Sequence, residues 1–217
     1  MDEMRFDDDV VIVTGAGRGL GREYALAFAG RGASVVVNDL GSSQEGQDKD
    51  VSVAQAVVDE IVSSGGRAVA DTHSVADSDG AHAIVDRALE AFGKVTVLVN
   101  NAGVIDYALL PDITDAVWDR MIEVTLRGTF NTIRSAWPHF ADQEYGRIVN
   151  TTSNVGFAGN ELLVHYGAAK LGVAGLTRSL AQETGEADIR VNAVAPMAVT
   201  RMNREAFFGG QESAGPD

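Results

Sequence analysis

The stretch VVIVTGAGRGLG, residues 10–21, decides the fold. Residues 10–14 are all β-branched, which is typical of a buried strand. Glycine then occupies every second position from Gly15 to Gly21, and a helical apolar pattern begins at Leu20. Glycines between a buried strand and a helix let the backbone turn tightly and approach a pyrophosphate, whose charge the helix N-terminus stabilises. The stretch therefore predicts a strand, a phosphate-binding turn and a helix, with a dinucleotide as the ligand.

The rest of the chain alternates strand and helix patterns in the same way. Further strands are predicted at residues 34–38, 68–72, 95–99, 147–151 and 189–194. Helices are predicted from Leu20 to about Gly30 and at 53–62, 81–92, 114–136 and 161–183. The strands are continuous β-branched runs, which indicates burial on both faces of a parallel sheet. We therefore expect a single α/β domain over residues 1–203, with a doubly wound (Rossmann) parallel sheet and helices on both faces.

Composition and charge exclude several classes of function. The chain has 217 residues, 45% of them hydrophobic, and a formal net charge of −14. This charge disfavours binding to nucleic acid or to anionic membranes. Without cysteine, and with four scattered histidines, a metal site is not expected. No apolar run is long enough to span a bilayer and the acidic N-terminus lacks a signal-peptide pattern, so we expect a cytoplasmic protein.

An acidic residue ends the second predicted strand. Asp39 follows Gly15 by 24 residues, close to the spacing at which a carboxylate accepts hydrogen bonds from the adenosine ribose. The same carboxylate would repel the 2′-phosphate of NADP. Arg18 lies inside the turn and could reach a phosphate, but Asp39 argues more strongly. The expected cofactor is therefore NAD, with NADP less favoured.

The long predicted helix 161–183 contains the sequence YGAAK. Tyr166 and Lys170 are four residues apart and lie on one helical face, where a lysine ammonium would stabilise a phenolate. Ser153 follows the fifth predicted strand at its carboxyl end, the edge at which open α/β sheets bind ligands. These three residues are the candidates for proton transfer. A tyrosine and lysine at this spacing on their own are more often a surface pair.

In combination these motifs are far more specific. TGAGRGLG, then NNAG at residues 100–103, then Ser153 and YGAAK, in this order, resemble the short-chain dehydrogenase/reductase family. The resemblance implies that Tyr166 is the general acid/base, that Ser153 orients the reacting oxygen and that Lys170 binds the nicotinamide ribose. It also implies cofactor contacts at Gly15, Arg18, Gly19, Leu20, Asp39, Ser74, Val75, Asn100, Ala102, Gly103, Thr125, Tyr166, Lys170, Pro196 and Val199.

A narrower resemblance concerns the long polar loop after VVVNDLG and the segments LRGTF, YGRIVNTTS and APMAVTRM. These are similar to the 3-hydroxyacyl-CoA dehydrogenase domain of peroxisomal-type multifunctional β-oxidation enzymes, a group that also carries hydroxysteroid activity. The implied reaction is hydride transfer between NAD and a secondary alcohol or ketone. Apolar residues before and within the helix (Val155, Phe157, Leu162, Leu163, Val164) suit an apolar substrate, or simply pack the loop.

Some features depart from the family pattern. Thr125 stands where many members have an Asn that holds a water behind the lysine, and His73 stands where an Asp often contacts adenine. The family continues with a seventh strand, for which residues 201–217 show no pattern. We expect residues 204–217 to be a mobile tail or a truncated substrate-lid region, with the natural polypeptide extending beyond Asp217 or a partner chain covering the sixth strand.

Two other functions and an oligomeric state remain open from the sequence. One alternative is a non-catalytic NAD-binding regulator on this fold, which would be expected to lose Tyr166 or Lys170, although both are present. The other alternative is an inactive scaffold protein. Small residues on two sides of helix 161–183 resemble the family's four-helix subunit interface, so a homodimer or homotetramer is expected.

Overall fold

A single parallel sheet forms the centre of the molecule. The computed structural model describes residues 4–42, 50 and 52–197. The strands are β1 (Val10–Thr14), β2 (Ser34–Asn38), β3 (Arg67–Asp71), β4 (Val97–Asn100), β5 (Tyr145–Thr151) and β6 (Asp188–Val194). Their order is β3-β2-β1-β4-β5-β6 and every neighbouring pair is parallel. This is the predicted doubly wound topology, with six strands in the described part of the chain.

Seven α-helices connect or flank the strands in the described ranges. They are α1 (Gly19–Ala29), α2 (Ser52–Ser63), α3 (Ser78–Phe92), α4 (Asp115–Met121), α5 (Gly128–Asp142), α6 (Asn154–Ala158) and α7 (Val164–Leu180). One turn of π-helix, Ile122–Arg127, joins α4 to α5, and a short 3₁₀ helix, Leu110–Asp112, precedes them.

Alternate side chains of the central strands enter two separate cores. Val11 and Val13 of β1 pack with residues of α1 and α2, whereas Val10 and Ile12 pack with residues of α3 and α5. The strands β1, β2 and β4 are buried along their whole length, as their continuous apolar runs predict. Helices therefore cover both faces of the middle of the sheet and hold the carboxyl ends of its strands in a fixed arrangement.

The outer strands differ from the prediction of burial on both faces. In β6, Ile189 and Val191 are buried, but Asp188, Arg190 and Asn192 are exposed. The reason is that α1 and α2 pack on the β1–β3 side of the sheet, so in the described residues one face of β6 has no covering helix. Strand β3 is likewise only partly buried, since it forms the opposite edge.

Two predicted helices differ in the structure: one is divided and the other is shorter than predicted. The predicted helix 114–136 begins at its predicted N-cap, Thr114, but changes to π-helical hydrogen bonding over Ile122–Arg127 before α5. The predicted helix 161–183 begins only at Val164, because Leu162 has a φ of 66°, a left-handed conformation that an α-helix cannot contain. Sequence periodicity does not distinguish these interruptions from a continuous helix.

Candidate active site

The turn after β1 is shaped by its glycines, and residues 15–21 are named the glycine turn below. Gly15 has a φ of 63°, and a Cβ on it would lie 2.9 Å from the Cα of Ala102. A Cβ on Gly21 would overlap the carbonyl oxygen of Gly15. Both positions therefore exclude a side chain, whereas a Cβ on Gly19 would meet only open space. The glycine turn is closed against the protein at Gly15 and Gly21 and open at Gly19.

The segment after β4 ties the glycine turn in place. The amide nitrogen of Asn101 donates to the carbonyl oxygens of Thr14 and Gly15, at 3.1 and 3.0 Å. The hydroxyl of Thr14 accepts from the backbone N–H groups of Asn101 and Ala102, both at 3.1 Å. Sequence reasoning named Asn100, Ala102 and Gly103 as site residues but missed Asn101 and Thr14. The NNAG motif contained the signal, but only the structure shows which asparagine faces the turn.

The start of α1 is suited to an anion. No side chain caps this helix, so its first N–H groups lack the side-chain acceptor that Asp77 provides for α3. Gly19 and Leu20 lie in that first turn, next to the open side of Gly19. The uncapped N–H groups and the helix dipole present positive charge to this space. The open side of Gly19 and the uncapped helix start are therefore suited to a pyrophosphate.

Asp39 lies beside the glycine turn, just beyond β2. Its two carboxylate oxygens accept from the backbone N–H groups of Gly17 and Gly41, each at 2.7 Å. The side chain is half-buried. The acidic group that the sequence assigned to the adenosine ribose is therefore adjacent to the turn that would hold the phosphates.

The other predicted contacts near the adenosine end follow β3. His73 is exposed and its Nδ1 lies 2.8 Å from a carboxylate oxygen of Asp71. The hydroxyl of Ser74 accepts from the N–H of Ala76, and Val75 is buried against Gly128. Arg18 reaches away from α1 towards Ser42 and Asp50. Within the described residues the loop after β3 adjoins β2, since the amide of Asn38 donates to the carbonyl of His73.

Ser153, Tyr166 and Lys170 form a second part of the site, called the catalytic corner below. Ser153 follows β5, is 9% exposed and caps α6 by accepting from the N–H of Val155 at 3.2 Å. Tyr166 and Lys170 lie on α7, with the Lys170 ammonium 5.8 Å from the centre of the Tyr166 ring. The fold thus brings the carboxyl end of β5 close to the first two turns of α7, as the sequence predicted.

The Lys170 ammonium is buried with one acceptor in the described structure. It is 4% exposed and donates to the carbonyl oxygen of Thr151 at 2.8 Å. An ammonium has three hydrogens, so two remain for a ligand. A Cβ on Gly103 would lie 3.5 Å from this Nζ and 3.7 Å from the hydroxyl of Thr125, so both groups border the space at Gly103. A ribose with two hydroxyls is the kind of group that these donors suit.

Burial controls the electrostatics of the catalytic corner. Burial lowers the pKa of Lys170 to about 8. Burial also raises the pKa of Tyr166, opposed by its side-chain hydrogen bond to Ser153. The Lys170 ammonium donates to the carbonyl of Thr151, and the stabilisation of the phenolate by Lys170 stays a prediction. In the chain alone, Tyr166 is therefore a protonated phenol at neutral pH, ready to donate.

The remaining predicted residues have mixed placements. The Asn100 side chain enters a buried chain of hydrogen bonds, accepting from Thr132 at 2.6 Å and donating to Asn150 at 2.9 Å, and Asn150 donates to Thr177. The Asn100 side chain thus connects β4, β5, α5 and α7, and its predicted contact with the cofactor stays a prediction. Pro196 is half-buried after β6. Val199, and with it the expected tail at residues 204–217, lies outside the described residues.

Neither a metal cluster nor a membrane-spanning helix is found in the part of the chain that the structure describes. Those ranges hold no group of three or more histidine, aspartate or glutamate side chains that would bind a metal. None of their helices is both long and apolar enough to cross a bilayer.

Comparison with known proteins places these features in a family. Residues 9–208 match the family model described as short chain dehydrogenase. A short-chain type dehydrogenase/reductase of Mycobacterium tuberculosis is 49% identical over 198 residues, which cover 91% of this chain and 69% of the relative. The peroxisomal multifunctional enzyme type 2 of Mus musculus is 48% identical over 199 residues, 92% of this chain but 27% of that enzyme.

A solved structure agrees with the fold described here. The crystal structure of a short chain dehydrogenase from Mycobacterium avium superposes with a TM-score of 0.83 at 45% identity, covering 92% of this chain and 71% of that one. The chain thus spans about two thirds of the mycobacterial proteins and about a quarter of the mouse enzyme. On the family match, the shared fold and the sequence identity, this chain belongs to the short-chain dehydrogenase family.

Proposed function

We propose that this chain, an oxidoreductase of the short-chain dehydrogenase family, transfers a hydride between NAD and a secondary alcohol or ketone. The observation that carries the proposal is the buried Lys170 ammonium, which has one protein acceptor and lies beside Tyr166 and the space at Gly103. A buried charge with unused donors is costly unless a ligand completes its hydrogen bonds. Among the described residues the carbonyl of Thr151 is the acceptor for this lysine, and the hydroxyls of a cofactor ribose would supply further acceptors.

Each group of the catalytic corner has a distinct role in the proposed reaction. The nicotinamide of the bound cofactor supplies the hydride acceptor in alcohol oxidation and the hydride donor in ketone reduction. In ketone reduction the Tyr166 hydroxyl donates its proton to the substrate oxygen, and in oxidation it receives that proton. Ser153 holds the same oxygen by a hydrogen bond. Lys170 binds the ribose and, as a cation near the ring, favours loss of the Tyr166 proton.

The preference for NAD over NADP rests on Asp39. Its carboxylate is held beside the glycine turn by the N–H groups of Gly17 and Gly41, so it cannot easily swing away from a bound adenosine ribose. A ribose 2′-phosphate would bring negative charge against it. We therefore propose that NAD binds at least about tenfold more tightly than NADP, a difference of about 1.4 kcal/mol.

The substrate is proposed to be apolar, such as a 3-hydroxyacyl thioester or a hydroxysteroid. Phe157, Leu162 and Val164 are exposed in the short stretch between Ser153 and Tyr166, while Leu163 is buried and packs. An exposed apolar surface beside the reacting groups suits a hydrocarbon substrate. Of these two classes, the resemblance of the sequence to a 3-hydroxyacyl-CoA dehydrogenase domain favours the acyl thioester.

A spectrophotometric assay of NAD reduction tests the proposal. The panel contains medium-chain and long-chain 3-hydroxyacyl thioesters, hydroxysteroids and short polar secondary alcohols. We expect turnover with an apolar substrate and little with the short polar alcohols. Binding of NADH without turnover on any compound would instead indicate a non-catalytic NAD-binding protein.

We also propose that the chain forms a homodimer, with a tetramer as the larger alternative. Phe130 on α5 and Leu171 on α7 are each 43% exposed, and Gly175 and Ala168 leave parts of the α7 surface flat. Apolar side chains exposed on α5 and α7 favour burial by a second copy. Light scattering at micromolar concentration should give at least twice the 22.8 kDa chain mass, and a monomer mass would refute the dimer.

A further inference from the structure

Arg18 is a basic residue within the glycine turn, next to a group that holds the carboxylate of Asp39. It follows Gly17, whose N–H donates to Asp39, and it directly precedes the uncapped start of α1. A guanidinium here is placed to pair with a phosphate on the adenosine ribose, which would favour NADP. The chain therefore carries two opposing signals for the cofactor, an acidic one at Asp39 and a basic one at Arg18.

The structure gives Arg18 an acidic partner of its own. Its Nη2 lies 3.7 Å from a carboxylate oxygen of Asp50, and its Nη1 is 3.5 Å from the carbonyl oxygen of Ser42. The side chains are 40% and 55% exposed, so the pair is a surface one. Such pairs are weak when both side chains are free to move. Whether this one matters therefore depends on how firmly Asp50 is held.

Asp50 is held by the start of α2. Its Oδ1 accepts from the N–H of Ser52 at 3.1 Å and from the Ser52 hydroxyl at 2.5 Å, and its carbonyl accepts from the N–H of Val53. The Oδ2 that remains is the one that faces Arg18. Because Ser52 engages one carboxylate oxygen of Asp50, the other is presented to Arg18 with little further loss of side-chain freedom.

Asp50 is also connected to the cofactor side of the sheet. Its N–H donates to the carbonyl of Gly41 at 3.1 Å, and the N–H of Gly41 donates to Asp39. A Cβ on Gly17 would lie 2.9 Å both from Asp39 and from a methyl group of Val53, so the turn, Asp39 and the start of α2 are in contact. Asp39 and Asp50 are therefore linked through Gly41 in one hydrogen-bonded assembly.

We propose that Asp50 determines cofactor specificity by neutralising Arg18 and holding its guanidinium away from the position of a ribose 2′-phosphate. This inference rests on the proposed function and extends its cofactor preference to a residue outside the glycine turn. Asp39 opposes NADP by repulsion, and Asp50 opposes it by engaging the cation that would otherwise attract the phosphate. The structure thus has two separate acidic groups acting against NADP.

Asp50→Asn tests the proposal, because asparagine keeps a side-chain oxygen that can accept from Ser52 but carries no charge. The dissociation constants of NADH and NADPH are measured by fluorescence titration for the unaltered chain and the variant. We expect Asp50→Asn to bind NADPH about threefold more tightly, the effect of releasing one exposed cation, with NADH affinity changed much less. Asp59→Asn on the exposed surface of α2 removes the same charge elsewhere. It should leave the ratio of the NADPH and NADH dissociation constants unchanged.

A second pair of variants shows whether Arg18 carries the effect. The NADPH gain from Asp50→Asn should disappear in an Arg18→Gln background. An unchanged ratio in Asp50→Asn, an equal shift in Asp59→Asn, or a gain that persists without Arg18 would each overturn the inference while leaving the proposed function standing. If the unaltered chain binds neither cofactor, the proposed function fails and this inference with it.

Discussion

The glycine turn and the catalytic corner lie at the same edge of the sheet, but the first is formed by backbone groups and the second by side chains. The glycine turn is made of backbone: positive φ angles, uncapped N–H groups and positions where a Cβ does not fit. The catalytic corner is made of side chains from β5's end and α7, two of them on a helix and one of them a buried cation. We infer from this difference that cofactor binding and proton transfer depend on separate parts of the fold. They should therefore fail separately when altered.

The largest effect is expected from Gly21→Ala in the glycine turn. Its Cβ would overlap the Gly15 carbonyl and crowd the Asn101 amide, so the turn must move. We expect a loss of about 3 kcal/mol in the free energy of unfolding, typical of severe overpacking, together with loss of NADH binding. Urea denaturation measures the first and fluorescence titration the second.

The control is Gly30→Ala at the other end of the same helix. Gly30 is exposed and has a right-handed φ of −62°, which alanine adopts readily. Its stability should change by less than about 1 kcal/mol. Equal stabilities for the two variants would show that the turn is not as tightly closed as described.

The next effect concerns the buried cation of the catalytic corner. Because burial lowers the pKa of Lys170 from 10.5 to about 8, its charged form destabilises the fold below pH 8. The penalty fades as pH rises towards 10.5, where the unfolded lysine also loses its proton. Lys170→Met should therefore raise the free energy of unfolding by about 2 kcal/mol at pH 7, after loss of the Thr151 hydrogen bond is subtracted.

The decisive observation is the pH dependence of that gain. The stability difference between Lys170→Met and the unaltered chain should shrink between pH 8 and 10.5. Lys94→Met, at an exposed lysine, should show no such trend. A gap that is constant with pH would mean that Lys170 is not buried as a destabilising charge.

The smallest of the three effects concerns Asp39, where the glycine turn meets a side chain. Asp39→Asn removes the repulsion of a 2′-phosphate, and the ratio of NADPH to NADH dissociation constants should fall about tenfold. Using the ratio separates this effect from any loosening of Gly17 and Gly41, which would weaken both cofactors. Asp142→Asn at the exposed end of α5 is the matched control, and a ratio unaltered in Asp39→Asn would remove the basis for NAD preference.

The sequence predicts the features that local residue patterns determine, and it misses those that depend on tertiary packing. The bounds of β1 and β2 agree with the prediction, because local β-branched runs and the following turns determine them. The one-sided burial of β6 was missed, since it depends on which helices reach that part of the sheet. The break before Val164 was missed too, because nothing in the apolar pattern marks a left-handed Leu162.

For the site, the order of the motifs predicted which side chains lie near one another but not their individual contacts. Ser153, Tyr166 and Lys170 are neighbours as the motif spacing predicts, and Asp39 lies beside the turn. The sequence could not show that Asn101 rather than Asn100 ties the turn, or that Lys170 is directed at Thr151. These are tertiary hydrogen bonds, decided only when β4, β5 and α7 are packed together.

The central claim is that Tyr166 moves the proton while the glycine turn holds the cofactor. Tyr166→Phe keeps the ring and removes only the hydroxyl. Turnover and NADH affinity should be measured side by side on a substrate that the unaltered chain oxidises. The account predicts a loss of at least about 100-fold in turnover, with the NADH dissociation constant changed by less than about twofold. Turnover close to that of the unaltered chain would contradict the account, because another group would then have to transfer the proton.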